Sequence, residues 1–342
     1  MGMNKRRVLL YPFALIYGGI TSIRNKFFDW GVLPTYKIQL PSIGVGNLSI
    51  GGTGKSVVVD YLISNFKKDF RIAVLSRGYG RILKGVQIAD EKSTAATIGD
   101  EPFQFYSKYQ DIEVVVAEKR ILGLKKIEKL PSKVNLLILD DILQHRYVKP
   151  TTLVLTTTYD APYVSDALLP SGNLRESKSG AQRADIVLVT KCPEKLTVQQ
   201  IKFFKERLNL LPRQKIFFTE IKYSSTVLNT LTKKGLTKLK SPFVLVTGIA
   251  DPTRLVSYLN SLGLDFIHLS FSDHHQFTTQ DIKKLKKVQG GGDILTTEKD
   301  YTRLHPVLQD ENLFYLPIDM AFLDAAMEQE FKAYLKEKIK LN

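Results

Sequence analysis

The chain has 342 residues, of which 44% are hydrophobic and 10% aromatic, so it is long enough for two domains and apolar enough to bury a core in each. This composition excludes an intrinsically disordered chain. The single cysteine, Cys192, excludes a disulfide framework and a cysteine-built zinc site, and it is typical of a reducing compartment. The formal net charge of +15 predicts a polyanionic partner: nucleic acid, an acidic membrane surface or a phosphorylated substrate.

The amino-terminal segment combines basic residues with an apolar run. Three cations at positions 5–7 precede residues 8–20, which as a helix would span about 20 Å, less than the roughly 30 Å of a bilayer core. No small-residue cleavage site of a signal peptide follows. We predict that residues 1–30 form a helix lying in an acidic membrane interface; the alternative is an ordinary first helix packed on the core. The aromatic residues expected at the boundary are Tyr11, Phe13 and Tyr17.

From residue 36 onward, short β-rich runs alternate with longer helical patterns, which predicts a mostly parallel sheet covered by helices. The strands are expected to be buried on both faces, because their sequences are nearly continuous apolar runs. A polar stretch at residues 222–240 is interpreted as a linker or irregular surface, and a second alternation begins at residue 243. The predicted strands are 42–45, 71–75, 113–116, 136–139, 153–157, 186–189, 216–221, 243–246, 266–269, 294–295 and 313–316, and the predicted helices include 55–66, 101–109 and 198–208.

A glycine-rich loop, GNLSIGGTGKS, follows the first buried strand and precedes a helix, which is the context of a phosphate-binding loop. Its backbone N–H groups and the helix amino terminus favour phosphate oxygens. Lys55 is expected to contact the β- and γ-phosphates and Ser56 to hold Mg²⁺. The strict pattern asks for glycine where the chain has Ser49. The residues predicted to bind the nucleotide are Ser49, Ile50, Gly51, Gly52, Thr53, Gly54, Lys55 and Ser56.

The loop defines the predicted domains. We expect an α/β fold of the P-loop NTPase type, a mostly parallel sheet flanked by helices, in residues 31–221. A second, smaller α/β domain is predicted for residues 222–342 and is expected to contribute to the active-site cleft.

A P-loop also needs an acidic partner at the end of a neighbouring strand to organise the metal. Asp140 and Asp141 end an apolar strand and are predicted to do so, and the sequence leaves open which of them is nearer the metal.

An ordered set of further motifs makes the nucleotide-binding prediction more specific. In chain order, these motifs are SRGYGR at 76–81, GDEP at 99–102, DDILQH at 140–145, LLPSGNLRE at 168–176, GIADP at 248–252, DH at 273–274 and TTEKD at 296–300. The chain resembles the tetraacyldisaccharide 4'-kinase (LpxK) family from its amino terminus to about residue 305. The resemblance implies a kinase that uses ATP and Mg²⁺ to phosphorylate the 4'-hydroxyl of a tetraacyl glucosamine disaccharide 1-phosphate in lipid A biosynthesis. It also implies a peripheral location on the cytoplasmic face of the bacterial inner membrane.

The resemblance also implies roles for individual residues. Asp100 is the implied base, assisted by His274, although the adjacent His275 remains an alternative; Glu101 is a further acidic group near the metal. Arg175 is implied to contact the phosphorylated substrate or the nucleotide, where a guanidinium binds phosphate through two parallel hydrogen bonds. The expected set is: catalytic Asp100, His274, Lys55 and Arg175; substrate-binding Arg77, Tyr79, Arg81, Gln144 and His145; metal-binding Ser56, Asp140, Asp141 and Glu101.

Two other classes of protein fit the sequence less well. A membrane-attached ATPase of the partitioning type carries an additional lysine near the start of the loop, where this chain has Ser49 and Ile50. A nucleic-acid-dependent NTPase would interleave aromatic and basic residues on a binding face or carry a recognition module. Neither signal is present in the sequence. The expected partners are therefore the lipid disaccharide and an acidic membrane surface, and not nucleic acid.

Overall fold

Residues 9–340 are described by the computed structural model, and most of their strands lie in two sheets. The cations at positions 5–7, predicted to touch a membrane, lie outside the described residues. The helices are α1 (Tyr11–Asp29), α2 (Lys55–Phe66), α3 (Ala95–Ile98), α4 (Asp100–Lys108), α5 (Arg120–Ile127), α6 (Val198–Leu208), α7 (Thr253–Ser261), α8 (Thr279–Gln289), α9 (Glu298–Leu308) and α10 (Ala325–Lys340).

The strands match the predicted apolar runs to within two residues at each end, and several short ones are added. The strands are β1 (Tyr36–Lys37), β2 (Ser42–Asn47), β3 (Ile72–Ser76), β4 (Gln87–Ile88), β5 (Glu113–Val116), β6 (Leu136–Asp140), β7 (Val148–Lys149), β8 (Thr152–Thr158), β9 (Ile186–Thr190), β10 (Lys215–Tyr223), β11 (Thr226–Leu228), β12 (Lys233–Gly235), β13 (Phe243–Thr247), β14 (Phe266–Ser270), β15 (Ile294–Thr297), β16 (Leu313–Leu316) and β17 (Ile318–Phe322).

The larger sheet has nine strands in the order β17-β10-β9-β8-β2-β6-β3-β5-β4. All neighbours from β10 to β5 are parallel, while β17 and β4 are antiparallel edges. Hydrophobic cores cover both faces, which explains why the strands are continuously apolar. Because β2 and β6 are parallel neighbours, with Val45 opposite Asp140, the loop that follows β2 and the aspartates that end β6 meet at one edge.

The smaller sheet has six strands in the order β12-β11-β16-β15-β13-β14. Residues 222–240, predicted as a linker or irregular surface, include the end of β10 and both β11 and β12. Val227, Leu236 and Leu239 from this stretch are buried in a hydrophobic core of the smaller sheet, so the prediction of a linker or irregular surface was wrong. Its polar composition reflects an edge hairpin that keeps one face in solvent, which the local pattern does not distinguish from a linker.

The chain returns to the first domain at its carboxyl end, so the predicted second domain of residues 222–342 does not extend to the end of the chain. Strand β17 pairs antiparallel with β10, and Phe331 and Leu335 of α10 are fully buried in the core of the larger sheet. The second domain is thus enclosed between two passages to the first. No local signal in the sequence marks such a return, because it depends on long-range strand pairing.

Helix α1 is 19 residues long and has one buried and one exposed face. Ala14, Gly18, Asn25 and Phe28 are buried. A Cβ added to Gly18 would lie 2.5 Å from the Leu168 side chain, which shows how closely this helix approaches the first domain. Within residues 9–340, no helix is both long enough and apolar enough to cross a bilayer.

Candidate active site

The glycine-rich loop is held in shape by hydrogen bonds before any ligand is considered. The amide of Asn47 donates to the Ser49 carbonyl at 2.6 Å and to the Thr53 hydroxyl at 2.8 Å. Gly51 and Gly54 have φ of +97° and +82°, values that L side chains rarely adopt. Helix α2 begins directly after Gly54, at Lys55. Its first backbone N–H groups are therefore available to bind an anion.

The segment 168–176 supports this loop from the side. The backbone N–H of Ile50 donates to the Asn173 carbonyl at 2.8 Å, and the N–H of Arg175 donates to the Leu48 carbonyl at 2.8 Å. Ser49, where the strict pattern has glycine, bridges to Leu174 in antiparallel fashion. The first half of the loop is thus extended backbone paired with a neighbour, which any residue can adopt.

Asp141 is the partner of two cations. The Arg175 guanidinium donates to both of its carboxylate oxygens, at 2.9 and 2.8 Å, and Lys55 Nζ lies 3.6 Å from Oδ1. Burial opposes ionisation of Asp141, but Arg175 and Lys55 outweigh it and hold the pKa well below its usual range. Arg175 also donates to the carbonyl and side-chain oxygens of Asn47. Arg175 therefore joins β6 to the start of the loop.

Asp140 has the opposite electrostatic environment. Burial, followed by the charges of Asp141 and Glu101, raises the pKa of Asp140 to about 6. The positive charge of Lys55 and a 2.9 Å hydrogen bond from the Ser76 hydroxyl lower the pKa, but they offset the increase only in part. Asp140 is thus a buried carboxylate whose charge the neighbouring side chains do not fully compensate. A divalent cation would supply that compensation.

Asp140→Asn is expected to stabilise the metal-free protein while removing the kinase activity that the sequence resemblance implies. Because the folded-state pKa is raised, the cost of the charge is fully present above about pH 6 and is lost as the pH falls toward the unfolded value. We expect the free energy of unfolding in urea to rise by about 1–3 kcal/mol at pH 8 and the gain to shrink at pH 5. Kinase activity with Mg²⁺ should fall by about a hundredfold or more. A variant less stable than the parent at pH 8 contradicts this reading.

Four residues were predicted to bind the metal, namely Ser56, Asp140, Asp141 and Glu101, and their contacts indicate which of them are available to do so. Within residues 9–340, no three His, Cys, Asp or Glu side chains converge so as to hold a metal by themselves. This fits Mg²⁺, which proteins usually bind through one or two carboxylates together with substrate phosphates. Glu101, predicted near the metal, is instead paired with Lys299 at 2.8 Å, and Asp141 is paired with Arg175. Of the three carboxylates, only Asp140 forms no ion pair within the part of the chain that the structure describes, so its oxygens and the Ser56 hydroxyl are left to bind the metal.

Asp100 and His274 meet at the boundary between the two domains. Asp100 begins α4 in the first domain and is buried, whereas His274 lies in the loop after β14 in the second. His274 Nδ1 lies 2.9 Å from Asp100 Oδ2. The Arg303 side chain, also buried, lies 3.6 Å from the same oxygen through Nε. The pair is thus formed by residues from different domains, and a cation stands beside its carboxylate.

His275 has a different partner. Its Nε2 lies 3.0 Å from Asp281 Oδ2, and its ring stacks on Phe271 with 4.7 Å between centroids. Asp281 also accepts from the backbone of Thr278 and so belongs to the amino-terminal cap of α8. Of the two adjacent histidines, only His274 contacts Asp100 in this structure.

The residues predicted to bind the substrate occupy three different environments. Tyr79 is 70% exposed, and its ring lies 5.9 Å from that of His274; Arg77 is exposed on the same turn. His145 is partly buried, and burial followed by Arg120 and Arg77 lowers its pKa to about 4, so it is neutral at pH 7. The side chains of these three residues can face a ligand.

Arg81 and Gln144 instead make internal contacts. Arg81 is buried, pairs with Glu118 at 2.6 Å and donates to the Gly85 carbonyl at 2.6 Å, so the structure does not place it toward a substrate. Gln144 donates to the Asn47 carbonyl at 2.9 Å and to Glu176 at 3.1 Å. Both residues support the loops of the site from behind.

Comparison with known proteins identifies the family. The family model described as tetraacyldisaccharide-1-P 4'-kinase (LpxK) matches residues 6–340. The chain belongs to this family. Among curated relatives, the tetraacyldisaccharide 4'-kinase of Flavobacterium johnsoniae is 43% identical and that of Bacteroides thetaiotaomicron 39%, with 99% and 96% of this chain covered and 99% and 93% of theirs. The solved structure of LpxK from Aquifex aeolicus in complex with ATP is similar to this one, with a TM-score of 0.77, 30% identity and coverage of 97% of this chain and 99% of that chain.

Family membership confirms the function predicted from the sequence. As an LpxK family member the chain is an ATP-dependent kinase that phosphorylates the 4'-hydroxyl of the tetraacyl disaccharide in lipid A biosynthesis. The α/β fold of P-loop type is confirmed as well. The ordered motifs were therefore a sufficient signal for the reaction.

Four residues beside this LpxK-family site were assigned no role from the sequence. Glu176 is fully buried and accepts hydrogen bonds from Asn25, Gln144 and Arg183. Arg120 donates to the carbonyls of Ala117 and Asp140. The remaining two are Lys299 and Arg303. Glu176 and Lys299 lie inside the quoted motifs LLPSGNLRE and TTEKD, so a signal existed for them; Arg120 and Arg303 lie outside every motif.

Proposed function

We propose that Asp100 is the general base of this kinase and that His274 assists it. The single observation that carries this assignment is the 2.9 Å contact between His274 Nδ1 and Asp100 Oδ2, which joins residues 174 positions apart. A carboxylate held by an imidazole keeps a defined orientation, as a general base requires. In this proposal Asp100 accepts the proton of the 4'-hydroxyl as that oxygen attacks the γ-phosphorus of ATP.

Lys55 and the loop amides bind the β- and γ-phosphates and neutralise the charge that spreads over the transferring group. The Lys55 ammonium group already lies at the edge of the sheet that carries the loop, with its Nζ 3.6 Å from Asp141 Oδ1. Arg175 acts as a positioning residue in this proposal, because both of its terminal nitrogens are engaged by Asp141 and Asn47. Arg77, Tyr79 and His145 face the acceptor.

Ser56 and Asp140 are the proposed protein ligands of Mg²⁺. The observation that supports the fit is the buried, incompletely compensated charge of Asp140, whose pKa is raised to about 6 by burial and by neighbouring carboxylates. The hydroxyl of Ser56 lies at the first turn of α2, directly after Lys55. When bound with ATP, Mg²⁺ supplies charge neutralisation at the phosphate oxygens.

The acceptor is tested with the purified protein, ATP and tetraacyl disaccharide 1-phosphate in mixed detergent micelles. We expect a new phosphomonoester at the 4'-position, observed by phosphorus NMR of the recovered lipid. An acceptor whose 4'-hydroxyl is already phosphorylated is the matched control and should not react. ATP turnover stimulated by nucleic acid but not by the lipid would contradict the proposal.

We further propose that the outer face of α1 lies in the interface of an acidic membrane, on the cytoplasmic side of the inner membrane, where ATP is available. Its side chains are apolar and strongly exposed: Phe13 62%, Ile16 64%, Ile20 65% and Ile23 56%, and Trp30, directly after the helix, is 67% exposed. A contiguous exposed apolar face of this kind favours a lipid surface. The other face touches the site, because the Tyr17 hydroxyl donates to the Arg175 carbonyl at 2.7 Å and Asn25 donates to Glu176 at 2.7 Å. An acyl-chain acceptor would thus reach the site from the membrane.

Replacing Ile16 and Ile20 with glutamate is expected to weaken binding to phosphatidylglycerol-containing vesicles by about a hundredfold or more, because two isoleucines buried in the interface would contribute about 3–6 kcal/mol. The KM for the lipid should rise, while the KM for ATP in detergent should stay within about twofold. Vesicle co-sedimentation and kinase assays measure these quantities.

The matched control replaces Val198 and Phe203 of α6 with glutamate. These apolar side chains are 82% and 61% exposed but lie on another helix. Equal loss of vesicle binding in both double variants would show that α1 is not the membrane-binding element.

A further inference from the structure

Lys299 lies beside the imidazole of His274, where the two sheets' domains meet. Its Nζ lies 3.2 Å from His274 Nε2 and 2.8 Å from Glu101 Oε1, and its side chain is 23% exposed. Lys299 is the second residue of α9 in the second domain, whereas Glu101 is the second residue of α4 in the first. The ammonium group therefore bridges the two domains at the proposed base.

The contact between Lys299 and His274 constrains the proton on the imidazole. A lysine ammonium has three donors and no acceptor, so His274 Nε2 must accept. A neutral imidazole that accepts at Nε2 carries its proton at Nδ1, and that N–H then donates to Asp100 Oδ2 at 2.9 Å. The proton is thus held between the imidazole and the proposed base.

A competing carboxylate favours the opposite arrangement. Asp273 Oδ2 lies 3.9 Å from His274 Nε2 and is the nearest carboxylate to that nitrogen, so without Lys299 it would favour a proton there. With the proton at Nε2, Nδ1 would present a lone pair to the Asp100 carboxylate, and the hydrogen bond that orients the base would be lost. The remaining neighbours do not decide the matter: Arg303 faces Asp100, and the Tyr79 ring lies 5.9 Å from the imidazole.

We infer that Lys299 is a positioning residue that sets the tautomer of His274, so that Nδ1–H orients the Asp100 carboxylate for the acceptor hydroxyl. The inference rests on the proposed role of Asp100 and His274. Because Glu101 of the first domain holds Lys299, the tautomer is set where the two domains meet. Hydroxyl activation is thereby restricted to the arrangement in which the cleft is assembled.

Nitrogen-15 NMR of the histidine side chains in the full chain tests the tautomer directly. The signals of His274 are assigned by their absence in His274→Gln. In the unmodified protein we expect a protonated Nδ1 and an unprotonated Nε2; in Lys299→Met we expect protonation at Nε2, and in Lys299→Arg a return to Nδ1. An Nε2–H tautomer in the unmodified protein, or an unchanged tautomer in Lys299→Met, overturns the inference.

Kinetics supply the functional arm of the test. Lys299→Met is expected to lower kcat by about 10- to 100-fold with the KM for ATP within about twofold, and Lys299→Arg to recover most of the loss. Lys283→Met removes one positive charge from an exposed position of the same domain and should leave kcat within about twofold. A kcat for Lys299→Met equal to that of Lys283→Met overturns the inference.

The roles of Asp100 and Lys299 are tested independently by these variants. If Asp100→Asn retains normal turnover, the assignment of Asp100 as the base is wrong. The NMR spectra still decide separately whether Lys299 sets the tautomer of His274. If Asp100→Asn loses turnover while Lys299→Met changes neither tautomer nor kcat, the base assignment stands and the role of Lys299 is excluded.

Discussion

Asp100→Asn is expected to lower kcat for lipid phosphorylation by about a thousandfold, within the range of general base catalysis. Asparagine has the same shape and can still accept the hydrogen bond from His274 Nδ1, which lies 2.9 Å from Oδ2, but it cannot accept a proton. The KM for ATP should change little, because the phosphate-binding residues are untouched. Steady-state kinetics with the lipid acceptor, together with calorimetric ATP binding, separate these effects.

The second member of the pair is tested in the same assay. His274→Ala should lose about 10- to 100-fold in kcat, and the double variant should be no worse than Asp100→Asn alone, because the two residues act as a unit. His275→Gln is the matched control: its partner is Asp281, so kcat should stay within about threefold. Equal losses in His274→Ala and His275→Gln would contradict the assignment of His274.

Lys55→Met is expected to lower kcat/KM by about a thousandfold or more, because in the proposed mechanism its ammonium group neutralises the phosphate oxygens on which charge develops. The side chain is only 19% exposed and lies 3.6 Å from Asp141, so the charge stands at the edge of the sheet where the nucleotide binds. Lys55→Arg should not restore activity, since a planar guanidinium does not replace a compact ammonium in this loop.

A neighbouring lysine supplies the control for Lys55. Lys67 follows the last residue of the same helix and pairs with Asp111 at the surface, so Lys67→Met removes the same charge without touching the loop. Its kcat/KM should remain within about twofold of the parent value. Near-normal turnover of Lys55→Met would show that this loop does not bind the transferring phosphate as proposed.

The helical and strand patterns predicted the main elements closely, because the buried parallel strands and the P-loop are local features. Helix α2 spans Lys55–Phe66 as predicted, and Asp140 ends β6 as predicted. Residues 222–240, which contain the polar edge hairpin, were predicted to be a linker or irregular surface. The prediction was wrong because an edge hairpin with one face in solvent has the same polar composition as a surface loop. Arg81 was predicted to bind the substrate, and the structure pairs it with Glu118, a contact that a basic residue at the end of a strand does not indicate.

Contacts between segments far apart in the chain could not be predicted from the sequence, for a different reason. The return of β17 and α10 to the first domain places residues near 320 against β10 and the α2 side of the sheet. Likewise, Lys299 reaches Glu101 and His274 only after the two domains meet. Such contacts require the relative position of elements that are far apart in the chain, which local periodicity does not encode.

By itself, the sequence determined the fold class, the phosphate loop, the aspartates that end β6, and the kinase family, since each rests on a short motif or a local pattern. The net charge of +15 remained compatible with more than one polyanion until the motifs narrowed the choice. Only the tertiary structure decided that His274 rather than His275 meets Asp100, that Glu101 is paired with Lys299, and that Arg175 holds Asp141. The physical reason is that adjacent residues with the same chemistry differ only in the direction in which the folded backbone points their side chains.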